Sequence, residues 1–151
     1  MPDVIPDRYQ YAVVAHIMID GAAEAIDFYQ RALSAVELFR LTGPDGTIVH
    51  AEIRIGCSVI MVGDAASPFR SPRSLGGSTV GLHVYVDDVD ARFARAIDAG
   101  AAVVQGVQDM FYGDRVGMLK DPYGHIWVLL THQEDLSPEE IKQRSTTILN
   151  Q

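Results

Sequence analysis

The sequence predicts an α+β domain in which two tandem βαβββ modules form a curved mixed sheet around a cleft, with one further helix at the C-terminal end. A short pattern occurs twice along the chain: an apolar strand with an internal histidine, then an aspartate, then an Ala-rich helical stretch. The first copy begins His16-Ile-Met-Ile-Asp20 and the second His83-Val-Tyr-Val-Asp87. The spacing between the two histidines leaves room in each copy for a strand, a helix and three more strands.

Length, composition and charge limit the possible classes of protein. The 151 residues suit one domain, and a hydrophobic content of 48% is typical of globular proteins. A formal net charge of −8 argues against a nucleic-acid partner and against binding to an anionic membrane. No apolar run is long enough to span a bilayer and no signal peptide is apparent, so we expect a cytoplasmic protein. The single cysteine, Cys57, allows no internal disulfide and is expected to fill space in a strand turn.

Module one is expected at about residues 11–63. The apolar, β-branched run Tyr11–Ile19 predicts its first strand, and Asp20 is expected to cap the helix that follows. The apolar stripe of that helix, at helical spacing, consists of Ala22, Ala25, Ile26, Tyr29 and Leu33. Three further strands are predicted at Val36–Leu41, Thr47–Ile55 and Ser58–Val62.

The predicted strand over residues 47–55 alternates between two kinds of residue. The apolar face, expected to pack on a helix, consists of Val49, Ala51, Ile53 and Ile55. The other face, expected to look toward the cleft, carries Ile48, His50, Glu52 and Arg54. The segment that follows, about residues 64–78, is rich in Pro, Ser, Arg and Gly and predicts a linker loop between the modules.

Module two, about residues 79–132, repeats the order of elements. A strand over Thr79–Val86 precedes a helix that Asp87 or Asp88 is expected to cap. The residues expected to point inward from this helix are Val89, Phe93, Ala96 and Ile97. The remaining strands are predicted at Val103–Val104, Arg115–Lys120 and His125–Leu130. Beyond the module, Ser137-Pro-Glu-Glu140 has the pattern of a capping box and predicts a C-terminal helix at about residues 137–149.

Five stretches, taken in order, resemble a known family. They are Ala25-Ile-Asp-Phe-Tyr29, Pro44-Asp-Gly-Thr-Ile-Val-His-Ala-Glu-Ile-Arg-Ile-Gly56, Leu82-His-Val-Tyr-Val-Asp-Asp-Val-Asp90, Phe111-Tyr-Gly-Asp-Arg115 and Asp121-Pro-Tyr-Gly-His-Ile-Trp127. Together they resemble the vicinal oxygen chelate superfamily, also called the glyoxalase/bleomycin-resistance/dioxygenase superfamily, and within it the PhnB-like branch. The resemblance covers roughly residues 11–132. It implies paired βαβββ modules around a cleft and a homodimer.

Enzymes of that superfamily hold a metal ion, and the resemblance indicates where its ligands would stand. A His or Gln is expected on the first strand of each module, and a Glu four residues past each turn glycine. The matching positions here are Val14 or its neighbour Val13, Gly81, Ile60 and Val128. None of these side chains can bind a divalent ion, because ligation requires an imidazole, a carboxylate or a thiolate. We therefore expect neither a metal site nor a cofactor at these positions.

Strand alternation predicts an apolar trough with a few polar groups, the usual composition of a small-molecule pocket. The candidate ligand-binding residues are His16, Met18, His50, Glu52, Ile60, His83, Tyr85, Tyr112, Arg115, Met118 and Val128. Arg115 has two interpretations: it holds a ligand at the mouth of the cleft, or it is tied to a neighbouring carboxylate. Trp127 is expected in the core, and His125 and His132 at or near the surface. No residue is assigned a catalytic role.

Three functions are compatible with these residues. The first is a metal-free binding protein that sequesters a small planar hydrophobic or aromatic compound, as bleomycin-resistance proteins sequester an antibiotic. The second is a metal-dependent lyase, isomerase or dioxygenase with rearranged ligands such as His16, His83, His50 and Glu52. The third is metal-free acid–base catalysis, with Glu52 or a histidine as the base. None of the four positions at which the family holds its metal carries a side chain that could bind one, and this favours the first function.

Overall fold

The computed structural model describes residues 6–10 and 12–150. The chain divides into two compact units, Met1–Gly77 and Ser78–Gln151. The boundary coincides with the end of the segment that was expected to link the modules. None of the helices in the described residues is long and apolar enough to cross a bilayer.

The first unit contains one four-stranded mixed sheet with a helix on one face. After a short 3-10 helix (Asp7–Tyr9), its elements are β1 (His16–Ile19), α1 (Ala22–Leu33), β2 (Val36–Thr42), β3 (Ile48–Ile55), β4 (Ser58–Asp64) and the single-turn α2 (Pro72–Leu75). The strand order is β1-β4-β3-β2, with β1 parallel to β4 and the other pairs antiparallel. This is the predicted βαβββ arrangement.

The second unit has the same topology. Its elements are β5 (Gly81–Tyr85), α3 (Val89–Asp98), β6 (Ala102–Asp109), β7 (Asp114–Lys120), β8 (Ile126–His132) and α4 (Pro138–Leu149). The strand order is β5-β8-β7-β6, with β5 parallel to β8. The capping box of α4 is confirmed, since Ser137 Oγ accepts from Glu140 N and Glu140 Oε2 accepts from Ser137 N. The α+β class and both modules are therefore confirmed.

Each helix covers one face of its own sheet with apolar side chains. The predicted stripe of α1 is buried throughout, as are Ile17, Ala51, Ile53 and Val62 on the facing strands. In the second unit Val89 and Phe93 of α3 and Trp127 of β8 are buried, as expected, whereas Ile97 is 39% exposed. The face of each sheet opposite α1 or α3 is called its open face below.

The N-terminus of α1 is stabilised by Asp64 and not by Asp20. Asp64 Oδ1 accepts from the backbone N–H groups of Gly21 and Ala22 at 3.0 and 2.9 Å, and Oδ2 accepts from Ile48 N at 2.7 Å. Gly21 is the N-cap with a φ of 89°, so the backbone turns away from the geometry that a capping Asp20 would need. The carboxyl of Asp20 instead accepts from Ser71 Oγ. In the second unit the cap of α3 is Asp88, one of the two residues predicted for that role.

Several local expectations differ from the structure. Strand β1 begins at His16; residues 12–15 are not in a strand, and Tyr11 lies outside the described residues. Val49 is 59% exposed, because the pairing of β2 with β3 shifts register between Leu41 and Thr42 and a bulge there reverses the alternation. Cys57 is exposed, and His125 is buried.

Candidate functional site

The strand register of the first unit brings four of the predicted site residues to the open face. Across the sheet, His16 pairs with Met61, Met61 with Glu52, and Glu52 with Phe39. Residues directly opposite each other on paired strands share a face. By alternation, His50 and Met18 lie on this face with His16 and Glu52.

Four rings form a continuous row on this face, and we call Phe39, His50, His16 and Phe69 the ring row. The ring centroids of His16 and His50 are 5.6 Å apart, with an edge-to-face angle of 81°. Phe69 lies 6.3 Å from His16, and Phe39 lies 6.4 Å from His50. These separations are those of interacting aromatic rings. The two imidazoles are thus flanked by benzyl groups.

Burial favours the neutral form of His16. Burial, and secondly the neighbouring His50, lower the pKa of His16 below its ordinary value of 6.5. The carboxyl of Glu52 is only 7% exposed, and its Oε1 lies 3.7 Å from His50 Nε2. At neutral pH His16 therefore offers one N–H donor and one nitrogen acceptor.

Ile60 does not lie with the other residues predicted in the first unit. It pairs with Ile53, a fully buried residue on the α1 side of the sheet, and so lies on the face opposite His16. Alternation within one strand shows which residues share a face, but not which of the two faces of the sheet that is. The assignment of Ile60 to the cleft face was wrong for this reason.

The open face of the second unit gathers the predicted residues of that module apart from Arg115. Two rows cross the sheet: His83 pairs with Val128, which pairs with Met118, and Tyr85 pairs with Leu130, which pairs with Val116. Val116, Val128 and Leu130 form a buried apolar cluster. The side chains packed against that cluster are partly buried and are those of Met110, Tyr112 and Met118. His83 and Tyr85 are exposed at the edge strand β5.

Arg115 lies away from this cluster. Its guanidinium donates to both carboxylate oxygens of Asp90 at 2.8 and 3.0 Å and to Asp109 at 3.0 Å. These bonds raise the pKa of Arg115 further above its ordinary value. Alternation on β7 also places Arg115 on the α3 side of the sheet, opposite Met118. Of the two interpretations of Arg115, the one observed is that it is tied to neighbouring carboxylates.

A polar network at one end of the second sheet was not predicted. Asp114, which is 5% exposed, accepts from Tyr85 Oη at 2.9 Å and contacts His132 Nδ1 at 2.7 Å. His132 Nε2 lies 2.8 Å from Asp135 Oδ1. A surface depression of about 350 Å³ lies beside this network, lined by Tyr85, Val86, Asp87, Thr131 and His132. The pairing of Asp114 with His132 in the β7–β8 register is the signal that a strand alignment could have supplied.

Two tyrosines on this face have a raised pKa, and Asp114 contributes to both shifts. The hydrogen bond to Asp114 raises the pKa of Tyr85, and burial followed by the charge of Asp114 raises the pKa of Tyr112. Both phenols therefore stay protonated at neutral pH and act as hydrogen-bond donors.

The side chains at the expected ligand positions do not fit the metal centre that the resemblance implies. Gly81 and Val128 lie on the open face of the second sheet, Ile60 lies on the helix side of the first, and none carries a ligating atom. Within residues 6–10 and 12–150, no three or more His, Cys, Asp or Glu side chains are grouped so that they could hold a metal ion. A rearranged site of His16, His50 and Glu52 is thus not formed in this geometry.

Comparison with known proteins gives relatives along most of the chain. The chain is 41% identical over 145 residues to the uncharacterized protein Rv0887c of Mycobacterium tuberculosis, covering 93% of this chain and 85% of the relative. Among solved structures, TioX from Micromonospora sp. ML1 has 28% identity and a TM-score of 0.64, covering 83% of this chain and 99% of TioX.

A further solved structure shares the fold at lower identity. TnmS3 from Streptomyces sp. CB03234, described as an antibiotic binding protein, has 22% identity and a TM-score of 0.62, covering 81% of this chain and 97% of TnmS3. The family model of the Glyoxalase/Bleomycin resistance protein/Dioxygenase superfamily matches residues 10–129. The predicted resemblance is therefore confirmed, and the chain belongs to the Glyoxalase/Bleomycin resistance protein/Dioxygenase superfamily.

Proposed function

We propose that this protein binds a small planar apolar compound on the open face of its second unit, without a metal ion, and sequesters it unchanged. The observation that carries the proposal is the apolar cluster of Val116, Val128 and Leu130 on the sheet face opposite α3. Small-molecule sites commonly combine such an apolar floor with a few polar groups at the rim.

The side chains around the floor suit a binding role. Met118 and Met110 are unbranched and flexible, so they adapt to ligands of varied shape. Tyr112 packs against the floor, and Tyr85 at the sheet edge presents an exposed ring that is fixed by its bond to Asp114. Rings held in place in this way offer stacking surface at little entropic cost.

The donor groups and the comparisons support binding in preference to metal-dependent turnover. The four positions at which the resemblance expects ligands carry hydrocarbon side chains or a hydrogen atom, so a Lewis-acid step has no ligand set to support it. TnmS3 is described as an antibiotic binding protein, so the shared fold is compatible with holding a small molecule.

A fluorescence titration with aminoanthracene, a planar and mostly apolar dye, tests the proposal. We expect saturable binding that Met118→Lys weakens by roughly tenfold, because a charge would be placed beside the apolar floor. Ile97→Lys, which inserts the same charge on the exposed side of α3, is the matched control and should change the affinity less than twofold. Equal affinities of the two variants, or no binding by the folded wild-type protein, would contradict the proposal.

We also propose that the protein is a homodimer. The outer strands β2 and β6 carry exposed apolar side chains, namely Val36, Leu38, Leu41, Val103 and Val104. Exposed apolar groups on edge strands favour association with a second chain. Sedimentation equilibrium at micromolar concentration should give twice the chain mass of 16.5 kDa, and a monomer mass would contradict the proposal.

A further inference from the structure

We propose that the open face of the first unit is a second binding site, and that it takes a planar aromatic compound carrying a phenolic hydroxyl group. The inference rests on the proposed function in one respect only, namely that the chain binds small planar compounds. The site is the ring row, with Glu52 beside it.

The outer rings of the row are exposed and yet held by ordered elements. Phe39 and Phe69 are 50% and 58% exposed. Phe39 lies on β2 and pairs with Glu52 on β3. The loop that carries Phe69 is anchored nearby, since Phe69 N donates to Ala66 O and the fully buried Ser71 donates to Asp20. Exposed rings on a fixed framework form a stacking surface that needs little reorganisation to bind.

The imidazoles between these rings have free hydrogen-bonding capacity. In the part of the chain that the structure describes, no group lies within hydrogen-bonding distance of the His16 ring nitrogens. The polar neighbour of His50 is Glu52, and their separation of 3.7 Å is longer than a hydrogen bond. A ligand that covers the row must therefore supply partners for these nitrogens or leave them unsatisfied.

A phenolic hydroxyl matches this pair better than a carboxylate or a plain hydrocarbon. A neutral imidazole has one donor and one acceptor, and a hydroxyl group can accept from one ring while it donates to the other. A carboxylate only accepts, so it leaves the accepting ring nitrogen without a donor. A hydrocarbon would cover the nitrogens without bonding to them, and sites built to hydrogen-bond a hydroxyl reject such analogues.

Calorimetric titration of the full chain with naphthol, naphthalene and naphthoate at pH 7.5 tests the inference. These probes share one ring system and differ in the polar group. We expect naphthol to bind at least fivefold more tightly than naphthalene, and naphthoate to bind most weakly. Similar affinities of naphthol and naphthalene, or tightest binding of naphthoate, would overturn the inference.

Variants test whether the preference for naphthol over naphthalene arises at the open face of the first unit. The double substitution His16→Phe/His50→Phe keeps four rings and removes the nitrogens, so the ratio of the two dissociation constants should fall to about one. Ile97→Lys, on the exposed side of α3 and away from both open faces, should leave the ratio unchanged. Phe69→Ala should weaken naphthol and naphthalene alike, by several-fold. A ratio that survives the double substitution would overturn the assignment to this face.

A measurement on the wild-type protein does not depend on the folding of any variant. Nitrogen NMR of the histidine rings should show naphthol-induced shifts at His16 and His50. Shifts confined to His83 would overturn the inference. If naphthol does not bind while aminoanthracene does, this inference alone fails; if folded protein binds neither compound, the proposed function fails as well.

Discussion

The Nδ1 atom of His132 lies 2.7 Å from Oδ1 of Asp114, directly across the pairing of β7 with β8. The other ring nitrogen of His132 lies 2.8 Å from Asp135. A neutral imidazole carries only one N–H group, so both nitrogens can donate to carboxylates only when the ring is protonated. When it is protonated, His132 therefore links the β7–β8 pair to the segment that leads to α4.

Stability should consequently depend on pH through His132. Its hydrogen bonds to Asp135 and to Asp114 raise its pKa above the ordinary value of 6.5. A raised pKa in the folded state gives stability that is fully present below the pKa of the unfolded chain and is lost as pH rises through the folded pKa. The melting temperature of the wild type should therefore exceed that of His132→Gln most at about pH 5.5, and the difference should shrink above pH 7.

Asp135→Asn is the companion variant for this prediction. Removing the exposed carboxylate should lower the pKa of His132 in an NMR titration while the contact with Asp114 persists. If the melting temperatures of the wild type and His132→Gln differ equally at every pH, the link is not ionic.

Asp64→Ala should unfold the start of α1. Three backbone N–H groups, those of Gly21, Ala22 and Ile48, lose their acceptor, and we expect a loss of about 2 kcal/mol in the free energy of unfolding. Hydrogen exchange at Gly21 and Ala22 should accelerate. Asp20→Ala, which removes only the bond to Ser71, should leave that exchange unchanged; the reverse pattern would restore Asp20 as the cap.

Asp121 should be essential to the turn before β8. This buried carboxylate accepts from Tyr123 N, His125 N and the indole N–H of Trp127, each at 2.9 Å. Asp121→Ala leaves these donors without their acceptor, and we expect a loss of about 3 kcal/mol in urea unfolding. Asp98→Ala, at the exposed end of α3, is the control and should change stability by less than about 0.5 kcal/mol. Comparable losses would refute the role of Asp121.

Gly117 should tolerate no side chain. A Cβ placed there would lie 2.6 Å from two ring carbons of Phe93, so Gly117→Ala must push the buried ring of α3 off the sheet. We expect a loss of about 1–3 kcal/mol in the free energy of unfolding. Gly106→Ala, on the neighbouring strand β6, meets no heavy atom within 4 Å and is the matched control. Thermal melts that coincide for the two variants would show that the contact is not tight.

The sequence was sufficient for the order of elements, because hydrophobic periodicity and capping residues act locally. The repeat, the stripe of α1, the cap at Asp88 and the capping box at Ser137 all predicted what is found. The site was harder, because contacts between strands depend on register. Ile60 was assigned to the wrong face, and Asp114 and His132, eighteen residues apart, meet only in the paired strands.

Phe39 and Phe69 could not be predicted as site residues from the sequence either. Neither carries chemistry that a motif would mark, and each becomes part of the ring row through a tertiary contact with a histidine. Arg115 was open to two interpretations in the sequence, because its partners Asp90 and Asp109 lie 25 and 6 residues away.

We propose that this chain binds a planar apolar compound without a metal ion. The most direct measurement is an aminoanthracene titration of protein dialysed against EDTA, compared with the same protein supplemented with Zn²⁺, Mn²⁺ or Ni²⁺. We expect the same dissociation constant for aminoanthracene in every sample. Binding that disappears on chelation and returns with one of these ions would contradict it.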